Sequence, residues 1–267
     1  MQKNLAILGA GKMGRTLAMG LARVHAPFNF FIYNPTQEKA RALAHDVQGS
    51  VVPLLNQLAN IDIVLIACRP QQFSQLALEL KPLLKGDELI VSIMAAIPVH
   101  TLADKLGVSK IVRMMPNTPN KIGLGVNLFF FSPTVSLPER TSILNSFALF
   151  SSVFNLEKED FLDICTAFTG SGPALIFEWA RLMGEILVQR GIAAHDAHKM
   201  VNQTFLGAAT LLAGQGKSPL ELREEVASKG GVTVEALKVF ADSGMGQIID
   251  KATQQAYLRG KELEKLL

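Results

Sequence analysis

Apolar and polar positions alternate along the first 150 residues in two registers that trade places several times. Short apolar runs with no polar face occur at Leu5–Leu8, Asn29–Tyr33, Ile61–Ala67, Glu88–Ile93, Lys110–Met114 and Gly125–Phe131. Runs of this kind predict strands buried on both faces, as a parallel sheet requires. Between them lie segments of helical period: Gly14–Val24, Gln37–Asp46 with Thr36 placed to cap it, Leu76–Leu84, Val99–Leu106 and Leu137–Leu149. This βαβ succession predicts a doubly wound α/β fold built on a parallel sheet. From about Asp160 the strand-like runs vanish. In Gly172–Arg190, apolar residues recur at three- and four-residue steps, with Pro173 at a first-turn position. His195–Leu212, Pro219–Ala227, Val234–Gly244 and Met245–Leu267 continue the pattern. Two domains are expected, residues 1–156 α/β and residues 157–267 all-helical. So many apolar helices on a small domain point to a face shared with a second subunit.

Composition narrows the class. Of the 267 residues 49% are hydrophobic and 18% charged, so a globular chain with apolar surface to spare is expected. A net charge of +3 without a dense basic block gives no footprint for nucleic acid. No apolar run approaches the length of a membrane span, and no leader-like segment precedes the first strand. The two cysteines, Cys68 and Cys165, fit no metal spacing and suit a reduced, cytoplasmic protein. His195 and His198 stand three apart without neighbouring ligands, so no metal site is expected.

The chemistry concentrates at strand ends. The first strand runs into Gly9-Ala10-Gly11-Lys12-Met13-Gly14, a G-x-G-x-x-G turn that opens a helix. In that setting Gly9 allows the turn, Gly11 admits a pyrophosphate close to the backbone, and Gly14 packs the helix on the sheet. The amides of Lys12 and Met13 then face the anion at the helix start. The second strand ends in Asn34-Pro35-Thr36, with no acid before Glu38. A ribose 2′-hydroxyl calls for an acid there, and a 2′-phosphate for donors. Asn34 and Thr36, with charge from Arg15 or Lys39, therefore favour NADP, while a bare Asn-Pro turn stays open. Cys68-Arg69-Pro70 and Pro116-Asn117 close two further strands, where a doubly wound sheet places its crevice. Ser171, before Gly172-Pro173, either joins an anion site or caps a helix. Ser228-Lys229-Gly230-Gly231-Val232-Thr233 offers free amides and a cation to a carboxylate, or is a flexible connection capped by Thr233. No histidine or lysine stands out as a general acid, which suits hydride transfer to a substrate that arrives protonated.

Taken in order, these motifs resemble the Δ1-pyrroline-5-carboxylate reductase family over nearly the whole chain. The resemblance is carried by Gly9-x-Gly11-x-x-Gly14, Arg69-Pro70-Gln71, Arg113-x-Met115-Pro116-Asn117-Thr118-Pro119 and Thr169-Gly170-Ser171-Gly172-Pro173-Ala174. Gln203-Thr204-x-x-Gly207-Ala208-Ala209 and Ser228…Gly230-Gly231-x-Thr233 complete it. It implies a Rossmann-type domain followed by a helical dimerisation domain, forming a homodimer and in the larger ring a decamer. It implies that NAD(P)H reduces the C=N bond of a small imino acid to give L-proline. Gly9, Gly11, Lys12, Met13, Gly14, Asn34, Thr36, Cys68, Arg69, Pro70 and Asn117 would hold the cofactor. Pro116, Asn117, Ser171, Ser228, Lys229, Gly230, Gly231, Val232 and Thr233 would hold the substrate, Thr233 as the catalytic hydroxyl by the ring nitrogen. Lys229 stands where the family usually has proline, and Arg181 near a place where it commonly has an acid. Two alternatives follow from those departures: reduction of another cyclic imino acid, or a regulatory paralogue that binds NADP without turnover.

Overall fold

The computed structural model describes residues 2–214 and 216–266. Eight strands form one sheet: β1 (Lys3–Leu8), β2 (Phe28–Tyr33), β3 (Ser50–Val51), β4 (Ile63–Ile66), β5 (Leu89–Ser92), β6 (Ile111–Pro116), β7 (Val126–Phe131) and β8 (Ser152–Asn155), in the order β3-β2-β1-β4-β5-β6-β7-β8. Leu8 pairs with Tyr33 on one side and with Ile66 on the other, so the sheet winds outward in both directions from β1. Every pair is parallel except β6 with β7. Only nine residues, 117–125, join those two strands. A parallel crossover needs a dozen or more, so the chain turns back antiparallel.

The helices between strands are α1 (Lys12–Arg23), α2 (Gln37–Asp46), α3 (Phe73–Leu80), α4 (Val99–Leu106) and α5 (Leu137–Ala148), and α6 (Glu159–Thr169) follows β8. Strand side chains alternate between faces, and each face has its own core. Leu5 and Ile7 pack with Leu17, Leu21, Leu43, Phe129 and Phe147, while Ala6 and Leu8 pack with Val64, Ile66, Phe73, Leu80 and Leu102. Burial on both sides explains why the strands read as unbroken apolar runs. Thr36 takes the cap position of α2, but its side chain makes no capping bond. The carbonyl of Thr36 alone engages the helix, accepting from Lys39 N at 3.1 Å.

Helix α6 and strand β8 carry no strong periodic signal; β8 is placed by its ladder with β7, and α6 by charge. Arg113 on β6 is 2% exposed. Its guanidinium donates to Glu159 at 2.9 Å and to Asp163 at 2.8 Å, both on α6. Asp163 also accepts from Lys261 at 2.8 Å, and Asp160 from Tyr257 at 2.9 Å. Burial opposes the charge on Lys261, yet the bonds to Asp163 and Asp160 hold its pKa above the usual lysine value. Two compact units result, residues 1–170 with 256–267, and residues 171–255. The first extends one helix beyond the change of character at residues 155–157.

The second unit contains α7 (Gly172–Gln189), α8 (Ala194–Gly214), α9 (Pro219–Val226), α10 (Val232–Asp242) and the first half of α11 (Met245–Leu266). Residue 267 of the expected terminal helix lies outside the described residues. Trp179 packs edge-on against Phe205 and Phe240, with centroids at 5.5 and 6.3 Å. Gly184 is buried under the ring of His198, where a Cβ would come within 2.5 Å of Nδ1. Much apolar surface stays uncovered in the single chain, including Phe177, Leu206, Val239 and Ile248. No helix among the described residues is long and apolar enough to cross a membrane.

Arg113→Met is expected to destabilise the protein by about 3 kcal/mol at pH 7, because Glu159 and Asp163 lose their shared counter-ion. Urea denaturation of Arg113→Met beside a Glu159→Gln/Asp163→Asn/Arg113→Met triple variant measures the effect: the triple variant should recover part of the loss, and an equal loss in both would exclude the ion network as the cause.

Candidate functional site

The glycine turn sits where the sheet changes winding direction, between β1 and β4, the place where open α/β sheets form a ligand crevice. Gly9 has φ +119°, and a Cβ there would lie 2.7 Å from Ala67 O. A Cβ on Gly14 would collide with the carbonyl oxygen of Gly9 and come within 3.0 Å of Ala67 Cβ. Both glycines are therefore required by the protein itself. Gly11 differs: a Cβ on it would meet no protein atom within 4 Å. It caps α1 in extended conformation with no side-chain bond, and the first helical hydrogen bond is Arg15 N to Gly11 O at 2.9 Å. The amides of Lys12, Met13 and Gly14 are left without helical acceptors, with the positive end of the helix dipole behind them.

The end of β2 is tied to that turn. Asn34 Oδ1 accepts from Ala10 N at 3.0 Å, while its Nδ2 donates to Thr36 O at 3.0 Å. Each end of the Asn34 side chain thus makes one bond that shapes the crevice. Arg15 is likewise occupied, in an ion pair with Asp46 at the end of α2. Thr36 and Lys39 are exposed and unpaired among the described residues, and so remain the free donor and the free cation at this strand end.

Cys68 follows β4, half buried, with Sγ 3.5 Å from Met94 Sδ. Burial pushes its thiol up to about 11, so it is present as an unreactive wall. Arg69 is exposed beside it, and Pro70 begins a single 3₁₀ turn, Pro70–Gln72. At the end of β6, Pro116 is half buried and Asn117 only 7% exposed. Asn117 Nδ2 donates to Thr169 O at 3.1 Å and Oδ1 accepts from Val126 N at 2.8 Å. Its side chain, too, is spent on the fold. Sequence reasoning missed the buried partners Asn120 and Asn127, whose amides bond to each other at 2.9 and 3.2 Å and stiffen this loop. Three asparagines within eleven residues flanking Gly123 and Gly125 were the available signal.

A cavity of about 1110 Å³ runs along α1 from Lys12 to Arg23 and includes none of Gly9, Gly11 or Gly14. The glycine turn faces open space instead.

In the second unit, Ser171 takes the cap position of α7 without a side-chain bond. The segment after α9 makes a four-residue turn closed by Gly231 N to Ser228 O at 2.8 Å. Lys229 and Gly230 are its central residues, and Gly230 holds φ +77°, which favours glycine. Gly231 then caps α10 in extended conformation, again without a side-chain bond. Thr233 is thus inside the first turn of α10 and is not its cap. The amides of Lys229, Gly230, Val232 and Thr233 have no partner among the described residues. The contrast with α5 and α9 is informative. There Glu139 and Glu221 accept from the amides of Ser136 and Ser218, at 2.9 and 2.7 Å, closing the helix start with carboxylates of the chain. Arg181, a departure noted in the sequence, lies between Glu178 and Glu185 at 2.6 Å from each and is neutralised on its own helix. The described residues hold no cluster of metal-binding side chains.

Gly11→Ala is expected to leave stability within about 0.5 kcal/mol, as at other caps, while a dinucleotide loses affinity by about tenfold or more. Gly14→Ala should lower stability by about 2 kcal/mol through overpacking. Thermal unfolding beside fluorescence titration separates the two, and a destabilised Gly11 variant would mean that this glycine serves packing instead of a ligand.

Known proteins share both halves of this arrangement. The family model "Pyrroline-5-carboxylate reductase dimerisation" matches residues 159–263, and "NADP oxidoreductase coenzyme F420-dependent" matches residues 4–96. A pyrroline-5-carboxylate reductase of Vibrio alginolyticus is 30% identical over 268 residues, covering 99% of this chain and 98% of that one. Among solved structures, a pyrroline-5-carboxylate reductase from Coxiella burnetii superposes with a TM-score of 0.92 at 29% identity, covering 98% and 99% of the two chains. A Plasmodium falciparum pyrroline carboxylate reductase solved with NADP bound has a TM-score of 0.85 at 24% identity, covering 98% of each chain, and shares the fold.

Proposed function

The chain belongs to the pyrroline-5-carboxylate reductase family, and from that premise we propose that it reduces the C=N bond of 1-pyrroline-5-carboxylate with NAD(P)H, giving L-proline in the last step of proline biosynthesis. The observation that carries this reading is the likeness over the whole chain, with glycine turn and Gly-Gly loop both intact. When bound, the nicotinamide supplies a hydride to the imine carbon, and the ring nitrogen, already protonated, becomes the secondary amine.

The residues present fit such a cofactor. The protein-free space over Gly11 and the free amides of Lys12, Met13 and Gly14 suit a pyrophosphate. Gly9 shapes that turn, and Cys68, Arg69 and Pro70 form the wall beyond β4. Asn34 and Asn117 hold this frame by their bonds to the backbone. The absence of an acid at the end of β2, with Thr36 and Lys39 free, supports a preference for NADPH over NADH.

For the substrate, the free amides of the Ser228–Thr233 loop suit the carboxylate, with Ser228, Gly230, Gly231 and Val232 supplying the turn. Lys229 adds a cation that has no ion-pair partner among the described residues. The Thr233 hydroxyl, without a hydrogen-bond partner among the described residues, serves the ring nitrogen. Pro116 and Ser171 complete the substrate set. Catalysis then comes from placement and from fixed amide dipoles, with no strong side-chain acid. The exposed apolar faces of α7, α8 and α10 support a homodimer, with a decamer as the larger ring. The free thiols of Cys68 and Cys165 suit the cytoplasm.

NADPH oxidation with 1-pyrroline-5-carboxylate beside its six-membered piperideine analogue tests the reaction. Turnover of the five-membered ring is expected; turnover of neither, with NADPH still bound, would sink it. Thr233→Ala should cut kcat by about tenfold to a hundredfold while thermal stability barely moves. Lys39→Glu should lower the NADPH-to-NADH affinity ratio by about tenfold through repulsion of the 2′-phosphate, and an unchanged ratio would remove Lys39 from that site.

A further inference from the structure

The chain passes from α6 to α7 through Gly170 and Ser171 alone, and both hold right-handed helical dihedrals, φ −75°, ψ −46° and φ −83°, ψ −27°. In a helix running on without a break, each carbonyl would accept from the amide four residues later. Thr166 O does so, accepting from Gly170 N at 2.9 Å. The series stops there: Ser171 and Gly172 do not donate back to Ala167 and Phe168, and at Thr169 the residue four positions on is proline. Pro173 has no N–H to offer, and a proline ring crowds the carbonyl four residues before it. The Thr169 carbonyl is thereby deprived of its helical donor.

Asn117 supplies one. Its Nδ2 donates to Thr169 O at 3.1 Å, and its Oδ1 accepts from Val126 N at 2.8 Å. A carbonyl can only accept and a backbone amide can only donate, so these two partners fix which way the Asn117 amide points. The carbonyl of Asn117 is held in turn by Asn120, through N at 3.2 Å and Nδ2 at 3.0 Å. The donor is therefore carried on a loop stiffened by its own buried amide network.

We propose that Asn117 is a positioning residue: it supplies the N–H that Pro173 cannot give to Thr169 O and latches the last residue of α6 to the loop that closes β6. It touches neither cofactor nor substrate through its side chain, and acts by fixing the end of α6, from which the chain runs on to Ser171. The kinetic consequence rests on the imine-reductase reading above; the latch itself does not.

The test uses the full-length protein and two substitutions. Asn117→Asp keeps the acceptor for Val126 N and removes the donor to Thr169 O. Pro173→Ala returns an N–H to position 173 and removes the ring that crowds Thr169 O, so that a backbone donor can compete with Asn117 there. In Asn117→Asp, hydrogen exchange of the amides between residues 166 and 176 is expected to rise about tenfold, as the loss of a buried hydrogen bond implies. kcat/KM for 1-pyrroline-5-carboxylate should fall by about tenfold with the NADPH Kd within about twofold, and both effects should shrink by half or more in the Pro173→Ala background. Effects of equal size in the two backgrounds overturn the latch, as does a loss of NADPH binding that parallels the loss of turnover. Faster exchange with unchanged kinetics overturns the positioning role. A wild-type protein that reduces no imine would overturn the proposed reaction instead, and the exchange measurement in the two backgrounds would still decide the latch.

Discussion

Arg113 brings a permanent positive charge into the interior of the first unit, where it cannot be neutralised by losing a proton. The remainder of that unit is arranged around it. Glu159 and Asp163 must face the guanidinium, which fixes the rotation of α6 about its axis. Leu162 then necessarily points at Met115 and Leu128, and Phe161, Ile164 and Phe168 point away. Glu159 also accepts from Val99 N at 2.8 Å, so the start of α4 is drawn into the same network. Lys261 brings the end of α11 to Asp163, although that residue is 98 positions from it in sequence. A buried ion cluster of this kind contributes little net stability compared with apolar packing. Its effect is to exclude alternative rotations of α6, since any of them would strand a charge.

The same preference for polar ties over bulk recurs at the strand ends. Asn34 joins the glycine turn to the end of β2, and Asn117 joins the end of β6 to β7 and to the last residue of α6. In each case one amide side chain satisfies a donor and an acceptor that an irregular loop would leave unpaired. Asparagine suits this work because its short side chain carries both functions in a plane. The loops so held are walls of the crevice, and their stiffness limits the ordering cost of holding a ligand there.

Six of the eight strands and the helices between them were legible because both faces of the sheet are covered there, which makes the strand signal continuous and the helix signal one-sided; the two-residue β3 and the exposed β8 at the sheet's edges leave no such run. Gly9 and Gly14 were legible for a similar reason: each has a steric duty that no other residue could perform. The antiparallel β7 was not read as such, since direction follows from loop length and leaves no mark on the strand itself. Helix α6 was missed because its inward face combines Leu162 with the acids that meet Arg113, so hydrophobic period understates it. Asn34 and Asn117 were expected at the ligand. Spacing identified that the positions mattered, but only coordinates show that both side-chain ends are already engaged. Arg15 and Arg181 repeat the lesson for charge, because a cation is available to a ligand only if no carboxylate has claimed it first.

That last condition also separates binding helix starts from merely structural ones. Helices α5 and α9 each begin with serine followed three residues later by glutamate, and the carboxylate closes the amides it faces. Helices α1 and α10 begin with glycine in extended conformation and bring no side chain back over their first amides. Leaving those donors open costs helix stability, roughly the worth of a cap, about 1 kcal/mol each. Helices α2 and α7 also start without a side-chain cap. What sets α1 and α10 apart is an extended glycine at the cap position, one in each compact unit, which leaves the space over the first amides free of any side chain. Such starts suit anionic groups, and in the proposed reaction those would be a pyrophosphate and a carboxylate. The chemistry of the proposed reaction needs those two anchors more than it needs an acid or a base. With the imine already protonated, the barrier is governed by how well carbon and hydride donor are held, and held positions are what backbone amides at a rigid helix start provide.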